Sequence, residues 1–134
     1  MILSIDLDGT LIGEETSDYY DFDMGMIVAC IEAKDAGHCL ILNTCREGEE
    51  LAERVNALKH VGLGFDYVNR NKTLIYQGKP TSTKIYADFY YDNKSFNWDR
   101  AAAIQHLLSI TRDPKSPAKF VSVPVYIDGL KKEK

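Results

Sequence analysis

The chain lacks a long apolar run. No stretch approaches the ~20 consecutive apolar residues that span a bilayer, so no membrane-spanning helix is expected. Excess positive charge is also missing: 16 Lys and Arg stand against 20 Asp and Glu, a formal net charge of −4. A mildly acidic protein gains nothing from attraction to a phosphate backbone. No nucleic-acid partner is therefore expected, although a local basic site can still bind one phosphate group. Cysteine is scarce. Cys30, Cys39 and Cys45 are odd in number and form no Cys-x-x-Cys pair. Cys30 and Cys39 read as small core residues, and a reducing cytoplasm is the expected setting. His38, His60 and His106 show no paired spacing and read as structural or exposed. The first residues, MILSIDLDGT, have no basic segment and reach acid by position 6, so no secretory signal is expected in them. No internal repeat, linker or low-complexity segment interrupts the chain.

What remains is ordinary globular material. Hydrophobic residues make up 45% and charged residues 27%, and 134 residues suit one domain spanning 1–134. Residues 2–6 (ILSID) form a short apolar run ending in acid, which predicts a buried strand. Residues 7–22 are expected as a loop. Asp23 reads as an N-cap for a helix carrying Met24, Ile27, Val28 and Ile31, with Gly37 as its stop. A second strand is predicted over 38–43. A second helix follows from near Glu47, with Leu51, Val55 and Leu58 on one stripe and Gly62 past its end. A short strand is expected at 66–69, an unclear segment at 70–83 with a small strand at 73–76, and a strand at 85–91. A third helix is expected at about 98–110, and a last strand at 119–127. Pro124 removes a ladder donor and places that last strand at an edge. Strands alternating with helices predict an α/β fold: a three-layer, Rossmann-like, mostly parallel sheet with helices on both faces.

In such sheets ligands bind beyond the carboxyl ends of the strands. Three polar clusters fall there: Asp6-Leu7-Asp8-Gly9-Thr10, then Asn43-Thr44-Cys45-Arg46, then Asp92-Asn93 with Lys84 upstream. Two carboxylates at a one-residue interval can take separate tasks. Further carboxylate can complete the oxygen shell of a hard cation such as magnesium. The cation would neutralise phosphate charge, and the Thr44 hydroxyl and Lys84 ammonium would hold other phosphate oxygens. Gly9 lets the chain turn sharply beside the site. Taken singly, Thr44 also fits a cap for the following helix, Lys84 a solvated lysine and Asp92-Asn93 a capping turn. Arg46 reads as a surface residue within reach of substrate.

Asp6-Leu7-Asp8-Gly9-Thr10 after an apolar strand resembles the first motif of the haloacid dehalogenase superfamily of phosphohydrolases, Asp-x-Asp-x-Thr. Leu40-Ile41-Leu42-Asn43-Thr44 looks like its second motif, Lys84 like its third and Asp92-Asn93 like its fourth, over roughly residues 1–100. The resemblance implies that Asp6 is a nucleophile forming an aspartyl-phosphate. Asp8 would protonate the leaving oxygen and then activate water. Magnesium would be held by the Asp6 side chain, the Asp8 carbonyl and Asp92, and the phosphoryl group by Thr44 and Lys84, with Gly9 alongside. Asn93 stands where a second acid is common, so weaker magnesium binding is implied. Asp88 is the alternative to Asp92, and Lys79 the alternative to Lys84. Neither interval between motifs has room for a full cap domain, so an open site is expected. Residues 11–22 are its nearest cover.

The expected function is a phosphatase acting on a small phosphorylated metabolite or a phosphorylated macromolecule, with a homo-oligomer consistent with the missing cap and the edge strand. The alternative is a regulatory module that binds phosphate or metal on the same fold without turnover. A receiver-type domain fits less well, because its phosphoacceptor follows the third strand, where only Asp66 stands.

Overall fold

A computed structural model of the chain describes residues 1–13, 20–71, 75–76, 79–80 and 85–112. The elements run β1 (Ile2–Asp6), α1 (Met24–Asp35), β2 (Cys39–Asn43), α2 (Gly48–His60), β3 (Tyr67–Val68), β4 (Ile75–Tyr76), β5 (Lys79–Pro80), β6 (Phe89–Tyr91) and α3 (Arg100–Thr111). Four strands form one sheet in the order β3-β2-β1-β6, and every pairing is parallel. β4 and β5 make a separate antiparallel pair. This is the expected α/β, Rossmann-like class.

The centre of the sheet follows from its sequence. β1 is buried on both faces, with Leu3 and Ile5 on one side and Ser4 on the other. Leu3, Ile5, Leu40, Leu42 and Tyr91 share the first face and join one apolar cluster with side chains from α1, α2 and α3. Right-handed crossovers from β1 to β2 to β3 put α1 and α2 on one side. The return from β3 to β6 runs the opposite way along the sheet and so passes the other face. There Tyr90, paired with Ser4, accepts from Ala87 N at 3.0 Å and donates to Ile85 O at 2.7 Å through its hydroxyl. Among the described residues, this segment rather than a helix meets that second face.

The helix ends match their sequence signals. Asp23 accepts from Met26 N at 3.2 Å and starts α1, and Gly37 ends it at φ 98°. Asp99 accepts from Ala102 N at 3.1 Å and starts α3. Gly62 at φ 102° follows α2, but Glu47 before α2 makes no side-chain cap.

Two segments depart from expectation. Residues 7–13 are a folded double turn rather than a polar loop. Leu7 O accepts from Leu11 N at 3.0 Å and from Ile12 N at 3.1 Å, while Leu7, Leu11, Ile12 and Tyr20 are buried. Their apolar spacing follows turn geometry, which has no period of 2 or 3.6 to detect. The strand expected at 85–91 is only Phe89–Tyr91, although Ile85 and Ala87 are buried. Their burial comes from crossing the sheet face, which mimics a strand's apolar pattern. The small strand expected at 73–76 is Ile75–Tyr76, paired with β5. The last strand at 119–127, with Pro124, lies outside the described residues.

Candidate active site

The sheet register decides what meets. Asp6 is paired with Asn43, and Ile5 with Tyr91, so the carboxyl ends of β1, β2 and β6 lie side by side. Asp6 ends β1, Thr44 follows β2, and Asp92 and Asn93 follow β6.

Asp6 is half-buried, and burial pushes its carboxyl up to about 6. The charges of Asp92 and Asp8 push in the same direction, while the Leu7 N–H and the Lys94 ammonium oppose them. A carboxylate so placed in a nest of like charge wants a cation. Gly9 turns the chain at φ 81°, and a Cβ there would overlap the Asn93 amide. Asn93 is thereby seated against the turn. Its backbone N donates to Thr10 Oγ1 at 3.2 Å, and Thr10 is buried.

The Asn93 side chain is the element that sequence reasoning undervalued. With its amide nitrogen facing the site, it donates to the Asp8 carbonyl at 3.0 Å and to Asp6 Oδ2 at 2.9 Å. A half-turn of the amide presents its oxygen to the same two oxygens. Asp6 Oδ2, the Asp8 carbonyl and the Asn93 amide then form an all-oxygen donor set, the kind a hard divalent cation takes. The residues therefore fit magnesium. Among the described residues, no group of three or more His, Cys, Asp or Glu side chains is arranged to hold a metal. Two of the donors here are a backbone carbonyl and an amide.

Asp92 lies at the same strand end, where its charge acts on Asp6 and its Oδ1 accepts from Lys94 N at 2.9 Å. Asp88 lies at the opposite end of the sheet. Its Oδ2 accepts from Ile2 N at 2.7 Å, and its own N donates to Ile2 O at 2.7 Å. Thr44 does not cap α2. Its Oγ1 accepts from Arg46 N at 3.1 Å, and its N donates to Asn69 Oδ1 at 2.8 Å. Among the described residues its hydroxyl proton meets no acceptor, which suits it to donate to an incoming one.

Arg46 is not simply a surface residue. Its Nε donates to both Asp8 oxygens, at 3.0 and 2.9 Å, and its Nη1 to Glu50 Oε2 at 3.1 Å. The bond to Asp8, more than any other cause, holds the guanidinium above its usual range. Lys84 lies outside the described residues, as does the side chain of Lys79, whose backbone is in β5. Lys94, two residues past Asp92, supplies a cation whose charge reaches Asp6. Nothing in the sequence distinguishes it from a solvated lysine. A cavity of about 410 Å³ opens beside Gly9 and Thr10, lined also by Phe22, Asp23, Met24 and Arg100. Among the described residues, no helix is long and apolar enough to cross a membrane.

No protein-family model matches the chain. No curated protein matches it either. A solved structure of a conserved protein coded by a locus of Bacteroides thetaiotaomicron shares the fold, with a TM-score of 0.68 at 24% sequence identity. The likeness covers 82% of this chain and 91% of that one. At that identity it shows the fold alone, a parallel α/β sheet with helices.

Proposed function

We propose that this chain is a cytoplasmic, magnesium-dependent phosphomonoester hydrolase of the haloacid dehalogenase kind, working through an aspartyl-phosphate on Asp6. The observation that carries the reading is the convergence of Asp6 Oδ2, the Asp8 carbonyl and the Asn93 amide, with separations of 2.9 and 3.0 Å, at the carboxyl edge of the sheet. These three groups would hold magnesium, with Asp92 beside them. Bound there, the metal supplies charge neutralisation for a carboxylate meeting a dianionic phosphate.

The chain's own residues then divide the work. An Asp6 oxygen forms a bond to phosphorus as the bond to the leaving oxygen breaks, and the Asp8 carboxyl gives that oxygen its proton. In the second half, Asp8 takes a proton from water as the water oxygen bonds to phosphorus. The acyl phosphate opens and Asp6 is regenerated with release of orthophosphate. The Thr44 hydroxyl donates to a phosphoryl oxygen. The cationic role falls to Lys84 or Lys79, with Lys94 contributing charge from the β6 side. The substrate is a small phosphorylated metabolite or a phosphorylated macromolecule, and a second copy of the chain is a candidate cover for an open site.

The test is hydrolysis of an aryl phosphate with magnesium, with EDTA, and by Asp6→Asn. Magnesium-dependent turnover abolished in Asp6→Asn supports the reading. Folded protein that binds magnesium and turns over nothing supports a regulatory module that binds without catalysis.

A further inference from the structure

Arg46 is connected as few surface arginines are. Exposed ion pairs contribute ~0–1 kcal/mol and are often incidental. Here the partner Asp8 lies on a different element, in the turn after β1, and the Arg46 and Asp8 side chains are 29% and 44% exposed. Both oxygens of Asp8 are within 3.0 Å of one nitrogen, Nε, while Nη1 reaches Glu50 in the first turn of α2. The Arg46 backbone is itself fixed. Its N donates to Thr44 Oγ1, and Thr44 N is held by Asn69, a residue in the left-handed region at φ 55°. The chain thus runs from the end of β3, through the end of β2, to the carboxylate after β1. A planar guanidinium held by Glu50 on one side has little freedom to present Nε differently.

From this geometry we infer that Arg46 is the positioning residue for Asp8, setting where its carboxylate stands relative to the Asp6 oxygen that attacks phosphorus. This rests on the phosphatase reading, in which Asp8 transfers the proton. Arg46 touches the Asp8 carboxyl that transfers the proton, and acts on the reaction through it. Its role is to keep the Asp8 carboxyl from rotating among the other oxygens of the site. Lysine cannot replace it. A single ammonium is a point charge on a flexible stem and cannot hold Asp8 and Glu50 in one plane.

The experiment compares Arg46→Lys and Arg46→Gln with the unaltered protein in two measurements. The first is the steady-state kinetics of an aryl phosphate with magnesium, together with inhibition by orthophosphate. Misplacement of a proton-transfer group should lower kcat about 10- to 100-fold in both variants, with KM and phosphate inhibition within about twofold. A raised KM and weakened phosphate inhibition at unchanged kcat would overturn the inference and make Arg46 a substrate contact. Unchanged kinetics would make the pair incidental. The second measurement is a crystal structure of Arg46→Gln. A rotated Asp8 carboxylate with Asp6 in place supports the inference, and an unmoved one overturns it. If the unaltered protein turns over nothing, the phosphatase reading fails. The crystal structure still decides whether Arg46 holds Asp8.

Discussion

At the residue scale, Asp6 and Asn93 make opposite demands on the same space. In metal-free protein Asp6 has its carboxyl pushed up to about 6 from 3.8, by burial first and then by Asp92. A raised carboxyl favours the protonated form in the fold. Its contribution to stability is present in full below about pH 4 and is lost as pH rises through about 6. Melting curves in EDTA for the unaltered protein and Asp6→Asn should therefore diverge between these limits, with the unaltered protein falling relative to the variant. A constant gap across that window would contradict the assigned environment. Asn93 makes the companion prediction. It is the neutral member of a site otherwise built from acid and carbonyl oxygens, so a third charge should strengthen cation binding. Asn93→Asp should bind magnesium about tenfold more tightly by titration calorimetry, because affinity follows the charge count of the ligands. In metal-free protein the same change adds a like charge beside Asp6 and loses two donated hydrogen bonds, so the variant should melt at a lower temperature.

At the element scale, the starts of α1 and α3 are tied together by one aspartate. Asp23 caps α1 and receives Arg100 Nε and Nη2, each at 2.7 Å, from the first residue of α3. Burial raises the Asp23 carboxyl, but the Arg100 and Met26 donors outweigh it and hold it below the usual range. Asp23→Ala should cost about 1–2 kcal/mol, the worth of an N-cap, measured by urea denaturation. Asp23→Asn should recover most of that loss, because an amide oxygen still caps. This junction also marks what the sequence made legible. The Asp23 cap, Gly37, Gly62 and the strand of residues 2–6 are local signals, each fixed by a few neighbours along the chain. The first-motif acids were legible for the same reason: they end an apolar strand. Asn93 was legible as a member of the strand-end pair Asp92-Asn93, but its contacts and those of Arg46 were not. The bond from Arg46 to Asp8 joins residues 38 apart, and the Asn93 contact with Thr10 joins residues 83 apart. Nothing local to an arginine after a threonine, or to an asparagine after an aspartate, records a partner on another strand. The buried turn at residues 7–13 was missed because its apolar side chains obey neither helix nor strand spacing.

At the scale of the whole molecule, the polarity of the sheet separates two acids that sequence alone offers as alternatives for one metal ligand. Asp88 and Asp92 flank β6, a strand of 3 residues. Because β6 runs parallel to β1, one acid must sit at the amino edge and the other at the carboxyl edge. At ~3.3 Å of rise per residue, four residues carry them about 13 Å apart, too far to ligate one cation together. Asp88 is occupied at the amino edge, closing the sheet onto the first residue of β1: its carboxylate accepts from Ile2 N and its own N donates to Ile2 O, each at 2.7 Å. Its loss should therefore act on the fold and not on the site. Asp88→Asn keeps an oxygen for Ile2 N and should lower stability modestly, while Asp88→Ala should cost about 1–2 kcal/mol from the unpaired donor. Neither should change magnesium affinity. Asp92→Asn should do the reverse, weakening magnesium binding about 10-fold or more with little loss of stability. Calorimetric titration and urea denaturation of the three variants separate the two edges. Loss of magnesium affinity in both Asp88 variants would mean that the cation is not held at the carboxyl edge, and the candidate site would fall with it.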